Sequence, residues 1–335
     1  MTFRYITKRI GLFFLTIWVA STLNFLIPRL SPGDPIAGIL GAMQAQGATV
    51  ANGAEIVESY RARFGLDDPI PVQYVRYLWA LAHLDLGYSI ANFPTPVSSI
   101  IGASLPYTLT LLTVATIITF VIGNFAGALL VWKATPAAAK TLITIFVMLA
   151  PIPYYLLAMI LIFLFSYVLH IFPSSGITET GRVVGAGFDL NYWLDMGYHS
   201  ILPALSIIIA GIGGWALGMR GMMVTVLGED YLTLAEAKGL KNPRIFLNYA
   251  VRNAMLPQFT GLAISLGYVV SGSVIVELLF SYPGLGYQLF RAISANDFPV
   301  IQGITFFLVL SIAVAILGID LIYPRLDPRI TYNRK

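Results

Sequence analysis

The chain has 335 residues, of which 57% are hydrophobic and only 11% are charged, and its formal net charge is +4. About a quarter of the residues in an ordinary soluble domain are charged, so a single soluble core could not hide this much apolar surface. The absence of cysteine excludes disulfide bonds, thiolate metal sites and a cysteine nucleophile. The composition therefore predicts an all-α integral membrane protein, because apolar stretches close to the roughly 20 residues that cross a bilayer recur along it.

The first predicted spanning helix is the apolar stretch from Ile10 to Pro28, which follows the basic residues Arg4, Lys8 and Arg9. At about 1.5 Å per residue it covers roughly 28 Å of hydrocarbon. The alternative is a signal peptide, but the stretch is longer than the usual apolar region of a signal, and no small-residue cleavage site follows it. Residues 1–28 are therefore predicted to form an N-terminal tail and an uncleaved first helix.

A hydrophilic interval at residues 29–104 is too long to be a turn. It is rich in Gly, Ala and Gln at 38–53 and has a helical pattern at 55–64. We expect it to form an ordered extracytoplasmic subdomain, because large apolar side chains are unusual in a disordered segment. The interval contains Tyr60, Phe64, Tyr74, Tyr77, Leu78 and Trp79.

Five further apolar stretches complete a predicted bundle of six spanning helices. They lie at about residues 105–132, 142–171, 201–224, 256–280 and 301–323. The third of the six predicted helices, at about 142–171, contains Pro151 and Pro153, so we expect a kink or a break there. Residues 105–323 thus form the predicted transmembrane core, which includes a cytoplasmic loop at 225–255, and residues 324–335 form a cytoplasmic tail.

The distribution of Lys and Arg predicts that both termini are cytoplasmic, because membrane proteins concentrate these residues on the cytoplasmic side. With the N-terminus inside, 14 of the 20 basic residues fall on inner segments. These are Arg4, Lys8, Arg9, Lys133, Lys140, Arg220, Lys238, Lys241, Arg244, Arg252, Arg325, Arg329, Arg334 and Lys335.

Two glycine pairs four residues apart, Gly123 with Gly127 and Gly214 with Gly218, allow helix backbones to approach closely. Such approach can serve packing inside one subunit or packing between subunits, and the sequence leaves both open.

Catalytic and cofactor motifs are absent. The chain has no G-x-x-x-x-G-K-[ST] phosphate loop, so it does not by itself hydrolyse ATP at such a site. His83, His170 and His199 lack metal-ligand spacing, and no G-x-S-x-G motif occurs. We therefore predict that the chain is not an enzyme and carries no cofactor, and that its energy comes from a partner or a gradient.

Only two acidic residues fall within the predicted spans, Glu277 and Asp320, and charged residues are costly in a membrane. Glu277 lies near the outer end of the fifth helix, where it lines a solute path or faces interfacial water. We take Glu277, Ser271 and Ser273 as candidates for the translocation path. Asp320 lies before Arg325 at the inner end of the sixth helix, where a structural pairing or an interfacial position is expected.

The cytoplasmic segment 229–244 carries consistent helix signals. Asp230 can cap a short helix, and Gly239 can end it in the left-handed conformation. Asn242 can cap a second helix, with Pro243 at its first position.

The three- and four-residue spacing of Tyr231, Leu234, Ala235 and Lys238 places them on one helix face. This predicts a compact, mostly apolar knob that enters a groove of a partner. The alternative is a helix lying on lipid, which favours a longer and more basic sequence. The candidate coupling residues are Tyr231, Leu234, Ala235, Glu236, Ala237, Lys238, Gly239 and Leu240.

Short distinctive segments occur in order along almost the whole chain. They are Leu30-Ser31-Pro32-Gly33-Asp34-Pro35, Phe64-Gly65-Leu66-Asp67 with Pro69, Val72-Gln73-Tyr74, Asp85-Leu86-Gly87-Tyr88-Ser89, Ala235-Glu236-Ala237-Lys238-Gly239-Leu240, Arg252-Asn253-Ala254 with Leu256-Pro257, Glu277 with Phe280-Ser281-Tyr282-Pro283-Gly284-Leu285-Gly286, and Leu326-Asp327-Pro328-Arg329. In these segments the chain resembles permeases of ATP-binding-cassette importers, in particular the first-subunit type of the dipeptide, oligopeptide and nickel permease family.

Two features depart from the general importer pattern. The interval from Gly239 to Pro257 is longer than usual, although it looks like the longer variant of this first-subunit type. Thr233 stands where the wider motif begins with Glu, so a contact made by that Glu is not carried over.

The resemblance implies a type I importer permease fold in the inner membrane. It also implies a second, similar permease, two cytoplasmic ATPase subunits and an extracytoplasmic solute-binding protein, with no role for nucleic acid. Peptides are the expected solutes, and oligosaccharides or nickel chelates are the alternatives within the family. A secondary carrier acting alone is disfavoured, because we find neither an inverted repeat nor midplane carboxylates.

Cysteine labelling tests the orientation, since the chain has no cysteine of its own. A membrane-impermeant thiol reagent applied to intact cells is expected to label Ser59→Cys and to spare Ala237→Cys until the membrane is opened. Labelling of Ala237→Cys but not of Ser59→Cys from outside would reverse the orientation.

Overall fold

A computed structural model describes residues 3–30, 68–178, 190–269 and 273–326. Within these ranges the chain is helical, and its β-structure is limited to an isolated antiparallel bridge between Tyr88 and Pro96. Much of the predicted extracytoplasmic subdomain, including the helical pattern at 55–64, lies outside the described residues.

Twelve helices are described. They are α1 (Phe3–Leu30), α2 (Ile70–Ala82), α3 (Val97–Val131), α4 (Ala137–Met148), α5 (Tyr154–Leu161), α6 (Leu190–Leu227), α7 (Asp230–Ala237), α8 (Asn242–Arg244), α9 (Arg252–Tyr268), α10 (Val274–Leu279), α11 (Leu285–Ser294) and α12 (Phe298–Leu326). Wide π-helical segments extend α5 over Ile162–Val168 and join α8 to α9 over Ile245–Val251.

Four stretches in the described ranges are long and apolar enough to cross a membrane: Arg4–Leu26, Val97–Val131, Leu190–Leu227 and Phe298–Gly318. The 38 residues of α6 span about 57 Å, more than the roughly 30 Å of a hydrocarbon core, so this helix extends beyond the bilayer.

The predicted break at Pro151 and Pro153 is confirmed. Helix α4 ends at Met148, and α5 begins at Tyr154 with Pro153 in its N-cap position at φ −56°. A proline fixes φ near this value and has no N–H to donate, so it begins a helix more readily than it continues one. The stretch predicted at 256–280 is likewise occupied by two helices, α9 and α10.

The described residues divide into two compact units, which we treat separately. The first contains α1, α2, the first turns of α3, and α11 and α12. Its apolar core joins α3, α11 and α12 through Val97, Ile101, Leu285, Ala292, Val300 and Ile304.

Helices α1 and α12 pack side by side. At one end Arg9 pairs with Asp320 at 3.1 Å, and the Tyr5 hydroxyl donates to the Asp320 carbonyl oxygen at 3.1 Å. Towards the other end, the Asn24 side chain donates to the Gln302 carbonyl oxygen at 2.8 Å. The expected structural pairing of Asp320 is therefore confirmed. Its partner is Arg9 of α1, which is far from Asp320 in the sequence.

A buried carboxylate fixes the loop that precedes α3. Asp297, only 2% exposed, accepts hydrogen bonds from the Ser89 hydroxyl and, at 3.1 Å each, from the backbone N–H groups of Ile90 and Ala91. Asp297 also lies directly before α12, so the loop and the start of that helix are held together.

The second unit contains the rest of α3, α4 to α9 and most of α10. Here α3 and α6 approach closely at the first glycine pair. A Cβ added at Gly127 overlaps the Ala216 carbonyl oxygen, and one added at Gly123 lies 2.6 Å from Trp215 Cβ. This pair therefore packs inside the chain, whereas a Cβ at Gly214 meets nothing within 4 Å.

We expect Gly127→Ala to destabilise the chain by about 1–3 kcal/mol, because overpacking forces the two backbones apart. The control is Gly214→Ala, which adds the same methyl group on α6 in open space and gains about 1 kcal/mol of helix propensity. Thermal unfolding in lipid nanodiscs measures both. Equal midpoints would mean that the α3–α6 contact is loose enough to absorb a methyl group.

Candidate coupling loop and buried glutamate site

The short helix α7 begins one residue earlier than its capping pattern predicted. Glu229 occupies the N-cap position, with no side-chain cap hydrogen bond, and Asp230 lies in the first turn. A carboxylate there still interacts favourably with the helix dipole. The next helix is shifted in the same way, because Lys241 is the N-cap of α8 and Asn242 is its first residue.

The end of α7 has the predicted left-handed glycine, with Gly239 at φ +73°. The Gly239 N–H donates to the Glu236 carbonyl oxygen at 2.9 Å, and the Leu240 N–H donates to the Ala235 carbonyl oxygen at 3.3 Å. These two bonds form a Schellman motif, which satisfies carbonyls that a helix end otherwise leaves open. The prediction for Gly239 is confirmed.

The inner face of α7 packs against its own chain. Leu232 and Ala235 are buried, and they join an apolar cluster with residues of α3, α6, α9 and the π-helical segment 245–251. The expectation that Ala235 shares an exposed face with Leu234 is therefore wrong. Leu232, three residues before Ala235, is the signal that was overlooked, because the pair marks a buried stripe.

The outer face of α7 consists of Leu234, Glu236, Ala237 and Lys238, all exposed. Leu234 is 55% exposed despite its apolar side chain. A buried stripe and a capped end hold this face rigidly, so it can present one apolar side chain between charged neighbours to a partner protein.

A side-chain contact links α7 to the start of α9. The Asn253 amide donates to the Tyr231 hydroxyl at 3.1 Å and to the Tyr249 carbonyl oxygen at 2.8 Å. Tyr231 thus connects the loop helix to a neighbouring helix, a partnership that spacing within α7 cannot reveal.

The second site is centred on Glu277, whose side chain is fully buried in α10. Its carboxylate accepts a hydrogen bond from the Thr108 hydroxyl of α3 at 2.9 Å. The Tyr282 N–H donates to the Glu277 carbonyl oxygen at 2.8 Å. A buried carboxylate needs a donor such as the Thr108 hydroxyl, because an unsatisfied carboxylate costs several kcal/mol.

Hydroxyl groups from α3 and α6 continue this polar region. The Tyr107 and Tyr192 hydroxyls lie 3.1 Å apart, and Ser200 Oγ lies 3.2 Å from the Tyr282 hydroxyl. The rings of Tyr107 and Tyr282 meet edge to face. Three elements of the second unit thus place their polar side chains together at this end of the bundle.

Of the other proposed path residues, Ser273 is buried and its Oγ has no hydrogen-bond partner among the described residues, whereas Ser271 lies outside them. In the part of the chain that the structure describes, no three metal-ligating side chains gather. His199 instead contacts Asp195 one turn earlier, at 3.1 Å.

Comparison with known proteins gives the family. Residues 121–332 match the family described as the inner membrane component of binding-protein-dependent transport systems. An oligopeptide transport system permease protein of Bacillus subtilis, AppB, is 33% identical over 329 residues, which cover 98% of this chain and 99% of the relative. A putative peptide transport system permease protein of Brucella abortus is 33% identical with the same coverage.

A second Bacillus subtilis relative, the dipeptide transport system permease protein DppB, is 29% identical over 332 residues and covers 99% of both chains. The chain is thus a multi-pass membrane permease. It belongs to the family of inner membrane components of binding-protein-dependent transport systems.

The buried site predicts different effects for two substitutions. Glu277→Gln keeps an oxygen that can accept from Thr108, so we expect the thermal stability to change little. Glu277→Leu leaves the Thr108 hydroxyl without this acceptor and is expected to cost about 1–3 kcal/mol. Thermal unfolding in nanodiscs compares them, and equal losses for both variants would show that the Thr108 bond contributes nothing.

Proposed function

We propose that this chain is a permease subunit of an ATP-binding-cassette importer for peptides. The observation that carries the proposal is the end-to-end similarity to permeases named for oligopeptide and dipeptide transport. The lack of a phosphate-loop motif in the sequence agrees with it, because the energy then arrives through a partner.

In this proposal the chain crosses the inner membrane six times, with both termini in the cytoplasm. The four long apolar helices supply four crossings. These four are the first, second, fourth and sixth crossings in chain order. The pair α4 and α5 supplies the third crossing, which is broken at its prolines, and the pair α9 and α10 supplies the fifth. Residues 29–104 then form the extracytoplasmic subdomain.

The partners are a second, similar permease, two cytoplasmic ATPase subunits and an extracytoplasmic solute-binding protein. The exposed face of α7 inserts into a groove of an ATPase subunit, with Leu234 as its apolar contact. Tyr231, Ala235 and Leu240 act from behind this face, since they tie α7 to its own chain.

ATP-driven closure of the ATPases displaces α7, and the helices move with it. Support comes from the apolar cluster, in which Leu232 and Ala235 pack with Met219 and Met223 of α6 and with Ala254 of α9. Closely packed interiors transmit displacements with little compression. A push on α7 therefore reaches both helices.

The translocation path passes Glu277, Ser271 and Ser273. Ser273 supports this role, because its buried hydroxyl has no hydrogen-bond partner among the described residues, and such a group is costly unless something binds it. In this proposal the transporter alternates between two states. Glu277 is buried in one of them, and α10 opens to the path in the other.

The test is Gly239→Val. At φ +73° a residue with a Cβ is strained by roughly 1 kcal/mol or more, so the Schellman end distorts and the outer face of α7 tilts. We expect insertion and substrate delivery to be normal, while ATPase co-purification or uptake of a labelled oligopeptide falls severalfold.

Two matched variants control for this substitution. Gly239→Asn is expected to retain most uptake, because asparagine tolerates the left-handed conformation. Gly228→Val adds the same side chain to the loop at a glycine outside that conformation and should leave coupling nearly intact. Unchanged uptake and co-purification in Gly239→Val would remove α7 from the mechanism, and a parent complex that imports no peptide would contradict the substrate class.

A further inference from the structure

Helix α2 is held against the last turns of the first spanning helix. The Tyr74 hydroxyl lies 2.7 Å from Thr22 Oγ1, and the Asn24 side chain donates to the Tyr77 hydroxyl at 3.2 Å. Both tyrosine rings also pack on Phe25, with centroids 5.2 and 5.4 Å away. The apolar stretch of α1 ends at Pro28, just after the turns that make these contacts, so α2 lies at the level where α1 leaves the bilayer.

The opposite face of α2 is apolar and uncovered. Val72, Val75 and Trp79 are three and four residues apart, which aligns them on one side of the helix. Val75 is 66% exposed and Trp79 is 69% exposed, and together with Val72 they border a shallow open groove. Such a stripe is unfavourable in water, so something apolar covers it.

The edge of the stripe is polar. Arg76 lies beside Val72 and Val75 and forms an ion pair with Asp68 at 2.8 Å. The His83 ring packs against the Trp79 ring at a tilt of 45°, with the ring centroids 4.6 Å apart. An apolar stripe bordered by an arginine matches the boundary between acyl chains and headgroups, where long cations reach the phosphates and tryptophan is enriched.

The position of α2 identifies the occupant as lipid. Leu23 and Leu26, on the same last turns of α1 that hold α2, are 54% and 38% exposed. Since α1 spans the membrane, apolar side chains exposed on it face acyl chains, and the stripe on α2 begins where that surface ends.

We infer that α2 is an interfacial helix that lies on the bilayer, with Val72, Val75 and Trp79 in the leaflet where α1 ends. This contact sets the depth of the segment that links α1 to α3. The inference requires only that α1 spans the membrane, and it is independent of peptide transport and of coupling through α7.

Site-directed spin labelling tests the inference in the full chain, purified with the subunits it retains and placed in nanodiscs of phosphatidylcholine and phosphatidylglycerol. Nitroxides are attached at Val75→Cys and at Trp79→Cys, where the side chains are exposed and their loss leaves the core intact. Molecular oxygen, which concentrates in acyl chains, and a water-soluble nickel chelate are the two collision probes. Leu15→Cys on α1 is the lipid control, and Ala91→Cys in the exposed loop is the water control.

The expected ratio of oxygen to nickel collisions at both α2 positions is severalfold above that of Ala91→Cys and close to that of Leu15→Cys. A ratio equal to that of Ala91→Cys would overturn the inference, because the stripe would then face water. Low access to both probes would overturn it as well, since a second permease or another protein would cover the stripe. The measurement is then repeated with added binding protein. If nickel access at the stripe is high without that protein and falls when it is added, the stripe is a docking surface for the binding protein.

Discussion

The close approach of α3 and α6 is the contact on which both functional regions of the second unit depend. It is possible because Gly127 and Gly123 have no side chain where the backbone of α6 passes. The two long helices then run together, and each contributes to both sites. Thr108 and Ser200 serve the buried glutamate region, while Ala128 and Met219 serve the cluster beneath the coupling loop. A wider spacing between α3 and α6 would loosen the contacts in both the glutamate region and the cluster beneath α7.

The two ends of this helix pair are stabilised by different interactions. The cluster beneath α7 is held by close apolar packing, which transmits a displacement without requiring fixed donor–acceptor angles. The region around Glu277 is held by hydrogen bonds between fixed donors and acceptors, and these weaken steeply when distances or angles change. The same displacement therefore costs more in the hydrogen-bonded region around Glu277 than in the apolar cluster.

Local sequence signals predicted the features that depend on a few neighbouring residues. The left-handed Gly239 and the helix break at Pro151 and Pro153 follow from the intrinsic backbone preferences of these residues, and the structure has them where expected. Helix starts follow less closely from local signals. Asp230 is the better capping residue, yet α7 begins one residue earlier, with Glu229 at the N-cap and without a side-chain cap bond.

Features that depend on tertiary neighbours were missed. The partner of Asp320 is Arg9, more than 300 residues away, and only the packing of α1 on α12 brings them together. The same holds for Asp297, which reads as an ordinary loop residue until the fold places Ser89 and two N–H groups around it. Ala235 was assigned to an exposed face because spacing shows which residues share a face but not which face is buried.

Thr108 and Tyr231 each make a side-chain hydrogen bond between two different helices. Each is a single polar side chain that crosses between elements, Thr108 from α3 to α10 and Tyr231 from α7 to the start of α9. Most backbone donors and acceptors in a membrane helix are satisfied within that helix. Polar side chains therefore determine how neighbouring helices are positioned along and around one another. One such bond fixes an angle that apolar packing alone leaves adjustable.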